Sequence, residues 1–368
     1  MEEAFNTRAR VAEIACLTGI APWKRGRTRA MFRNLHGPIL RNRAEAAVRV
    51  AKRHGGAVAC WASRIPRGLE IVATREGVAL WWIEDGFIRS AGLGASMIQP
   101  ASLTLDSRCP HYDSRQPSDL EQMLETANFS DLMLTRADRL IARLRETAVT
   151  KYNLAGSPIT LPEGKRIVLV PGQVPGDRSV LLGGDGLDMA ELLARVRHEE
   201  PDALIVYKPH PDVVSGLRRG DAGDTEARRI ANLVFPHADL IALIDRADVV
   251  HTLTSLTGFE ALIRGRAVVV HGQPFYAGWG LTRDLAPIAR RTRHRSLAEL
   301  VAAALIAYPL YADPRTGEPC TPEHLVEQFA AMRRREPGDT SILRAFAARF
   351  AAWHAARRER GKAGQGNS

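Results

Sequence analysis

Cysteine is scarce in this 368-residue chain. The four cysteines lie far apart, at Cys16, Cys60, Cys109 and Cys320, and none belongs to a CxxC pair. No group of histidines and cysteines has the spacing of metal ligands. The sequence therefore argues against a disulfide framework and a structural zinc site, and it predicts reduced thiols in a cytoplasmic protein without a metal site.

Long apolar segments are also absent. The longest uncharged apolar stretch, at 300–308, is far shorter than the roughly 20 residues that cross a bilayer as a helix. The first ten residues, MEEAFNTRAR, lack the basic and then apolar order of a signal peptide. Both observations favour a cytoplasmic location.

The common nucleotide-binding loops are missing as well. The segment PGQVPGD at 171–177 follows a strand-like run, and its glycines allow a ligand to approach the backbone near Gln173. It contains neither the GK[ST] of a Walker loop nor a GxGxxG dinucleotide turn. ATPases and dehydrogenases are therefore disfavoured.

The chain does carry an excess of positive charge, with a formal net charge of +10. The basic residues that crowd its two ends are Lys24, Arg25, Arg27, Arg29, Arg33, Arg41, Arg43, Arg49, Arg357, Arg358, Arg360 and Lys362. They fit either a solvated surface or an anionic partner. Because no RNP or zinc-finger module accompanies them, we expect no nucleic-acid partner, and an anionic membrane surface stays open.

Strand-like and helix-like runs alternate in two segments, 1–153 and 165–335, and a Gly- and Pro-containing linker separates them. A C-terminal helix and basic tail are predicted for 336–368. The pattern predicts an α/β protein of two Rossmann-like, doubly wound lobes with a central cleft. In such folds ligands bind at the carboxyl ends of the strands, so we expect them to face that cleft.

Two acidic residues follow the strand-like run 78–83. Glu84 and Asp85 are adjacent, and neighbouring side chains of an extended chain point in opposite directions, so we expect only one of them to face a substrate. Carboxylates in this position fit catalysis, and they also fit helix caps and turns. Arg89 and Ser90 follow closely and are candidate substrate contacts.

A cationic turn, Lys208-Pro209-His210-Pro211, follows the strand-like run 203–207. Prolines on both sides of His210 fix the backbone, and Lys208 adds a permanent positive charge. The turn suits an anion such as a phosphodiester leaving group. An ordinary proline-rich turn is the alternative.

A third polar segment follows the run 249–252. Ser255 can cap a helix whose first N–H groups, near Thr257 and Gly258, bind phosphate, although simple capping needs the same residues. Glu260 is not needed for a cap, and in a nucleotide site it would accept hydrogen bonds from ribose.

Aromatic residues and glycines alternate in QPFYAGWG at 273–280. Tyr276 and Trp279 fit either buried packing at a domain junction or an aromatic wall for a sugar.

Four segments, in order along the chain, resemble the capsule polysaccharide β-Kdo transferases of the KpsC type. They are EDGFIRSAGLGA at 84–95, VPGQVPGDRSV at 170–180, YKPHPDV at 207–213 and SLTGFEALIRGRAVVVHGQPFYAGWGLT at 255–282. The resemblance extends over residues 55–285, and its last segment is the longest and most specific. Familiar members carry two such modules in tandem and this chain has one, so the linkage it would make stays open.

The resemblance implies a GT-B fold and the transfer of Kdo from CMP-Kdo, with retained configuration and without metal or cofactor. The implied acceptor is a phosphatidylglycerol-based glycolipid, which places the protein peripherally on the inner face of the inner membrane. Other capsule assembly proteins are further implied partners.

By position, the resemblance makes Asp85 the catalytic nucleophile of a double displacement, Glu84 its support, and His210 the group that stabilises the departing phosphate. The other donor-binding residues that it implies are Lys208, Pro211, Gln173, Ser255, Thr257, Gly258 and Glu260. From the residues alone, two other functions stay open: an inverting CMP-sugar transferase of the sialyltransferase kind, and a non-catalytic basic protein that binds membranes or nucleic acid.

Overall fold

Two six-stranded sheets organise the protein, whose computed structural model describes residues 10–33, 37–218, 220 and 222–334. In this part of the chain the strands are β1 (Ile14–Thr18), β2 (Ile39–Leu40), β3 (Ala57–Trp61), β4 (Leu80–Asp85), β5 (Ser102–Asp106), β6 (Ile167–Pro171), β7 (Leu204–Lys208), β8 (Leu233–Val234), β9 (Val249–Thr252), β10 (Ala267–Val270), β11 (Arg283–Asp284) and β12 (Pro309–Tyr311).

Helices pack around both sheets. Within the same residues the α-helices are α1 (Arg25–Met31), α2 (Ala44–His54), α3 (Leu69–Glu76), α4 (Asp119–Thr126), α5 (Asp131–Thr147), α6 (Arg178–Gly183), α7 (Met189–Glu199), α8 (Pro211–Val214), α9 (Ala222–Ile230), α10 (Leu240–Arg246), α11 (Leu256–Ile263), α12 (Leu297–Val301) and α13 (Pro322–Arg334). None of them is long and apolar enough to cross a membrane.

The first sheet has the order β12-β5-β4-β3-β1-β2 and the second the order β11-β10-β9-β6-β7-β8. Neighbouring strands of the second sheet are all parallel. In the first sheet β5 runs antiparallel to β4, and β12 runs antiparallel to β5. The predicted α/β class with two doubly wound lobes is confirmed, and the first sheet is mixed rather than fully parallel.

The chain returns to the first sheet after it has built the second. Leu310 of β12 pairs with Leu103 of β5. The apolar stretch at 300–308 leads into this strand through a π-helical turn, Ala302–Ala307, whose first four residues are buried. The predicted segment 165–335 thus also contributes to the N-terminal sheet, and the predicted helix and tail at 336–368 lie outside the described residues.

The strand that carries the two acids is β4, and it ends later than predicted. Its pairing with β5 continues to the pair Asp85 and Leu103, so Glu84 and Asp85 are its last two residues. Gly86 follows where the backbone passes close to β5, because a Cβ atom there would lie 2.3 Å from Ser102 Oγ. Only glycine fits this turn, which fixes the acidic pair at the end of the strand.

A buried ion pair and a hydrogen bond join the two lobes, in addition to the chain itself. Arg291, in the loop before α12, contacts Glu121 of α4 at 2.8 Å, and these side chains are 3% and 7% exposed. Arg295 Nη2 donates a further hydrogen bond to the carbonyl of Ala127, at the end of α4. This clamp holds the segment that follows the second sheet against the first.

Candidate active site

A large cleft of about 1260 Å³ lies between the two sheets, at the carboxyl ends of their strands. Trp61 and Asp85 line it from the ends of β3 and β4, and Pro171 and Lys208 line it from the ends of β6 and β7. The cleft exceeds the volume of roughly 300 to 1000 Å³ that is usual for one small ligand, so it has room for more than one.

Asp85 is held by two cations inside the cleft. Lys24 Nζ lies 3.1 Å from its Oδ1, and Arg89 Nε lies 2.8 Å from its Oδ2. Burial by itself would raise the pKa of Asp85, but Arg89 and Lys24 outweigh burial and lower this pKa to about 2. The Asp85 side chain is 25% exposed, so an ionised carboxylate faces the cleft.

Glu84 also lines the cleft, which corrects the expectation that only one of the two acids could face a substrate. The reason is that β4 ends here and its last two side chains meet different walls: Asp85 meets the cations, and Glu84 accepts a hydrogen bond of 3.2 Å from Tyr112 Oη. Burial and the neighbouring charge of Asp85 raise the pKa of Glu84 well above its usual range. The two carboxyls therefore differ in proton affinity.

The cationic turn lies on the opposite wall. Lys208 Nζ contacts the carbonyl of Pro236 at 3.4 Å, and burial lowers the pKa of this lysine. His210 accepts a hydrogen bond on Nδ1 from the backbone N–H of Asp212, at 3.1 Å, and thereby caps the short helix α8. Burial, together with the charge of Lys151, lowers the pKa of His210 to about 4.

His210 is consequently neutral near pH 7. Because its Nδ1 accepts a backbone N–H, the ring proton of the neutral imidazole resides on Nε2. The ring is thus a hydrogen-bond donor through Nε2, and His210, like Asp85, lines the cleft. Pro211, at the first position of α8, lines the cleft beside it.

The start of α11 forms a third wall. Ser255 caps this helix, since its Oγ accepts a hydrogen bond from the N–H of Thr257 at 3.2 Å. Glu260, one turn further on, accepts a hydrogen bond of 3.0 Å from the backbone N–H of Lys151, and burial raises the pKa of Glu260 to about 7. The cleft is lined by all four of these residues, Ser255, Thr257, Glu260 and Lys151.

Gln173 lines the cleft, but its amide is already occupied. Its Nε2 donates to Thr254 Oγ1 at 2.8 Å, and its Oε1 accepts from the N–H of Thr254 at 3.0 Å. The pair ties the loop after β6 to the loop after β9. Gln173 therefore fixes the walls of the cleft, and its predicted donor contact stays a prediction.

Four predicted site residues do not line the cleft. Ser90 is 2% exposed, and its Oγ donates to the carbonyl of Gly92. Tyr276 and Trp279 are fully buried, so the prediction of an aromatic wall for a sugar is wrong and the two residues pack in the core. Gly258 makes room for the side chain of Tyr276, because a Cβ atom at position 258 would lie 2.3 Å from Tyr276 Oη.

Sequence reasoning missed several residues of the cleft, and Lys151 is one of them. Its carbonyl accepts hydrogen bonds from the N–H groups of Arg89 and Ser90, and its charge acts on both Asp85 and His210. Among the described residues no carboxylate lies within 4.0 Å of its Nζ. It precedes the linker, where no motif marks it, so only its basic side chain could have signalled a role.

Lys24 and Tyr112 were missed in the same way. Lys24 lies on a 3-10 turn before α1, with its Nζ 3.5 Å from the centre of the Trp61 ring. The sequence showed Lys24 only as one of many N-terminal cations, and Tyr112 only as a loop aromatic. In the described part of the chain, no group of three or more His, Cys, Asp or Glu side chains could hold a metal ion.

The family model described as "Capsule polysaccharide biosynthesis protein" matches this chain over residues 56–155 and 134–312. The chain is 38% identical over 339 residues to the capsule polysaccharide modification protein LipA of Neisseria meningitidis serogroup A, a match that covers 90% of this chain and 47% of LipA. The chain thus spans about half the length of that relative. It is 34% identical to the lipopolysaccharide-processing protein LpsZ of Rhizobium meliloti, over 91% of this chain and 78% of LpsZ.

Two solved structures from Thermosulfurimonas dismutans have the same architecture. The β-Kdo 2,7 transferase of KpsC is 33% identical to this chain, with a TM-score of 0.69. The match covers 88% of this chain and 100% of the transferase structure. The β-Kdo 2,4 transferase of KpsC is 30% identical to this chain, with a TM-score of 0.74. The match covers 85% of this chain and 98% of the transferase structure.

Proposed function

Since this chain belongs to the capsule polysaccharide biosynthesis family, we propose that it carries one retaining glycosyltransferase module, which moves Kdo from CMP-Kdo to a phosphatidylglycerol-based glycolipid. The observation that carries the proposal is that Asp85 and His210 line opposite walls of one cleft. The first is an ionised carboxylate and the second a neutral hydrogen-bond donor. The names of the two KpsC structures supply the sugar and the type of reaction.

In the first step a carboxylate oxygen of Asp85 attacks the anomeric carbon of Kdo. The bond from that carbon to the phosphate oxygen breaks, and its electron pair leaves with CMP. His210, through Nε2–H, and Lys208 and Lys151, through their charges, would stabilise the phosphate as it departs. The sugar is then attached to Asp85 as a glycosyl ester.

In the second step a hydroxyl of the acceptor attacks the same carbon from the side that CMP has left. The bond to Asp85 breaks, its electron pair returns to the carboxylate, and the hydroxyl proton needs a base. Glu84 is the candidate base, because its raised pKa suits proton transfer near neutral pH. Two displacements at one carbon give net retention.

Intact-protein mass spectrometry after incubation with CMP-Kdo, without acceptor, tests the proposal. We expect the wild type, and more strongly Glu84→Gln, to gain the mass of one Kdo residue, while Asp85→Ala gains none and still binds CMP. An adduct on Asp85→Ala, or its full transfer activity, contradicts the nucleophile.

The configuration of the product separates the remaining alternative. NMR of the transferred sugar should show the anomeric configuration of the donor. An inverted product would instead support an inverting CMP-sugar transferase, in which a carboxylate acts as base from the start.

A further inference from the structure

The positive charge of the protein is concentrated in one short segment. Residues 24–76 contain thirteen Lys and Arg but only three Glu, a net charge of +10 that equals the net charge of the whole chain. The remainder of the sequence is therefore neutral overall. A local excess of this size produces a field that attracts anionic surfaces.

Much of this charge lies on one face of the first lobe. Helices α2 and α3 pack side by side, and their apolar residues Ala47, Val48, Leu69 and Ala73 are buried in one shared core. The opposite sides of both helices therefore point away from the protein. We call this outer surface, together with Arg43, Arg64 and Arg67 in the turns that lead into the two helices, the α2–α3 face.

The cations of the α2–α3 face are exposed and mostly unpaired. Those that form no ion pair with any other described residue are Arg43, Arg49, Arg53, Arg64 and Arg67. The exceptions are Lys52 and Arg75, which share Glu76 at 2.8 and 3.1 Å. Charges that are not neutralised within the protein are free to meet an external anion.

A large apolar side chain lies on the outer side of α3, opposite the buried Leu69 and Ala73. Ile71 of α3 is 75% exposed, and Arg75 lies one turn further along the same side of the helix. An exposed isoleucine gains nothing from a purely ionic partner. It gains free energy when it enters the boundary between headgroups and acyl chains, where nearby arginines can reach the lipid phosphates.

The α2–α3 face also reaches the cleft. Ser63 and Arg64, in the turn between β3 and α3, line the cleft, and Arg67 follows three residues later on the exposed side. A molecule anchored in a surface that covers this face would enter the cleft past Arg64.

We propose that the α2–α3 face docks on an anionic lipid bilayer, with Ile71 inserted at the interface and the surrounding arginines on lipid phosphates. Docking needs no chemistry in the cleft and does not depend on the proposed function. If that function holds, the face presents the open cleft to a lipid-linked acceptor.

Vesicle flotation of the full chain tests the proposal. We expect binding to vesicles of phosphatidylcholine and phosphatidylglycerol, none to pure phosphatidylcholine, and weaker binding as salt increases. The triple variant Arg49→Glu, Arg53→Glu, Arg67→Glu should bind at least about 100-fold more weakly, since each basic residue near an anionic membrane contributes about a fivefold factor.

A second triple variant, Lys165→Glu, Arg195→Glu, Arg246→Glu, makes the same change in net charge at exposed residues elsewhere. It should bind nearly as well as the wild type. Ile71→Gln should weaken vesicle binding severalfold without changing charge, and because this side chain is exposed the variant should fold normally by circular dichroism.

Three results would overturn the proposal: no binding of the wild type to anionic vesicles, equal losses in both triple variants, or tighter binding to duplex DNA than to the vesicles at the same salt concentration. The assay contains no sugar donor, so its outcome is independent of whether transfer occurs.

Discussion

Arg89 Nε lies 2.8 Å from Asp85 Oδ2, and Arg89 itself is only 1% exposed. Its Nη1 donates to Ser90 Oγ and its Nη2 to the carbonyl of Ile98, so the guanidinium cannot swing away. A buried, fixed cation therefore keeps Asp85 both ionised and oriented. This is the state that the proposed role of Asp85 as a nucleophile requires.

Arg89→Gln should consequently reduce kcat by about 100-fold and raise the pKa of Asp85, because a neutral amide no longer offsets the effect of burial on this carboxyl. Activity that requires the carboxylate is lost as pH falls through this pKa, so the acidic limb of the kcat profile should move to higher pH. Steady-state kinetics over a pH series measures both effects.

The matched control is Arg136→Gln, which breaks the ion pair of Arg136 with Glu323 at 2.7 Å, outside the cleft. Its acidic limb should stay in place. A wild-type profile in Arg89→Gln, with normal folding, would contradict the role of Arg89.

Lys151→Met should weaken CMP binding about 10- to 100-fold, because it removes a cleft cation that has no described carboxylate within ion-pair distance. Lys151→Arg should retain most of the affinity, and Lys165→Met, at an exposed position, should change nothing. Isothermal titration calorimetry with CMP gives the dissociation constants. An unchanged value for Lys151→Met would exclude this lysine from the phosphate site.

Gly258→Ala should lower the free energy of unfolding by about 1 to 3 kcal/mol, because the new methyl group would overlap Tyr276 Oη. Tyr276 would then lose its hydrogen bond of 2.5 Å to the carbonyl of Ser255, at the start of α11. Gly26→Ala is the control: no atom lies within 4 Å of the position that its new methyl group would take, so it should stabilise α1 by up to about 1 kcal/mol. Urea unfolding of both variants distinguishes crowding from a general effect of removing glycine.

Glu260→Gln should be increasingly more stable than the wild type as pH rises from about 4.5 to 7. The folded protein binds the Glu260 proton more tightly than the unfolded chain, since burial raises this pKa to about 7. Stability contributed by the protonated form is therefore lost as pH rises through that interval, by roughly 2 to 3 kcal/mol. Urea unfolding at several pH values measures the difference, and a constant difference would show that Glu260 is not protonated in the fold.

The chemistry-bearing residues at strand ends could be predicted because their signal is local. An apolar run followed by Glu84 and Asp85, or by Lys208 and His210, marks the carboxyl end of a strand, and all such ends of a parallel sheet meet at one edge. The same local signals gave the position of the cap at Ser255.

Residues that act through distant contacts could not be found in this way. Lys24 reaches Asp85 across 61 positions of the sequence, and Lys151 contacts Glu260 across 109. Tyr276 and Trp279 were ambiguous for the opposite reason, because an aromatic residue beside glycines fits a core as well as a sugar site. Only the burial of both side chains in the folded protein decides between a core and a sugar site.

The strand β12 has a consequence for the order in which the protein is completed. The other strands of the first sheet are synthesised early. The outer edge of β5, however, stays unpaired until Leu310 is synthesised and pairs with Leu103. The N-terminal lobe is thus begun first and finished last. A chain cut at the linker would leave this edge of β5 open to pairing with other chains, so we expect the first lobe to fold without aggregation only when the second is attached.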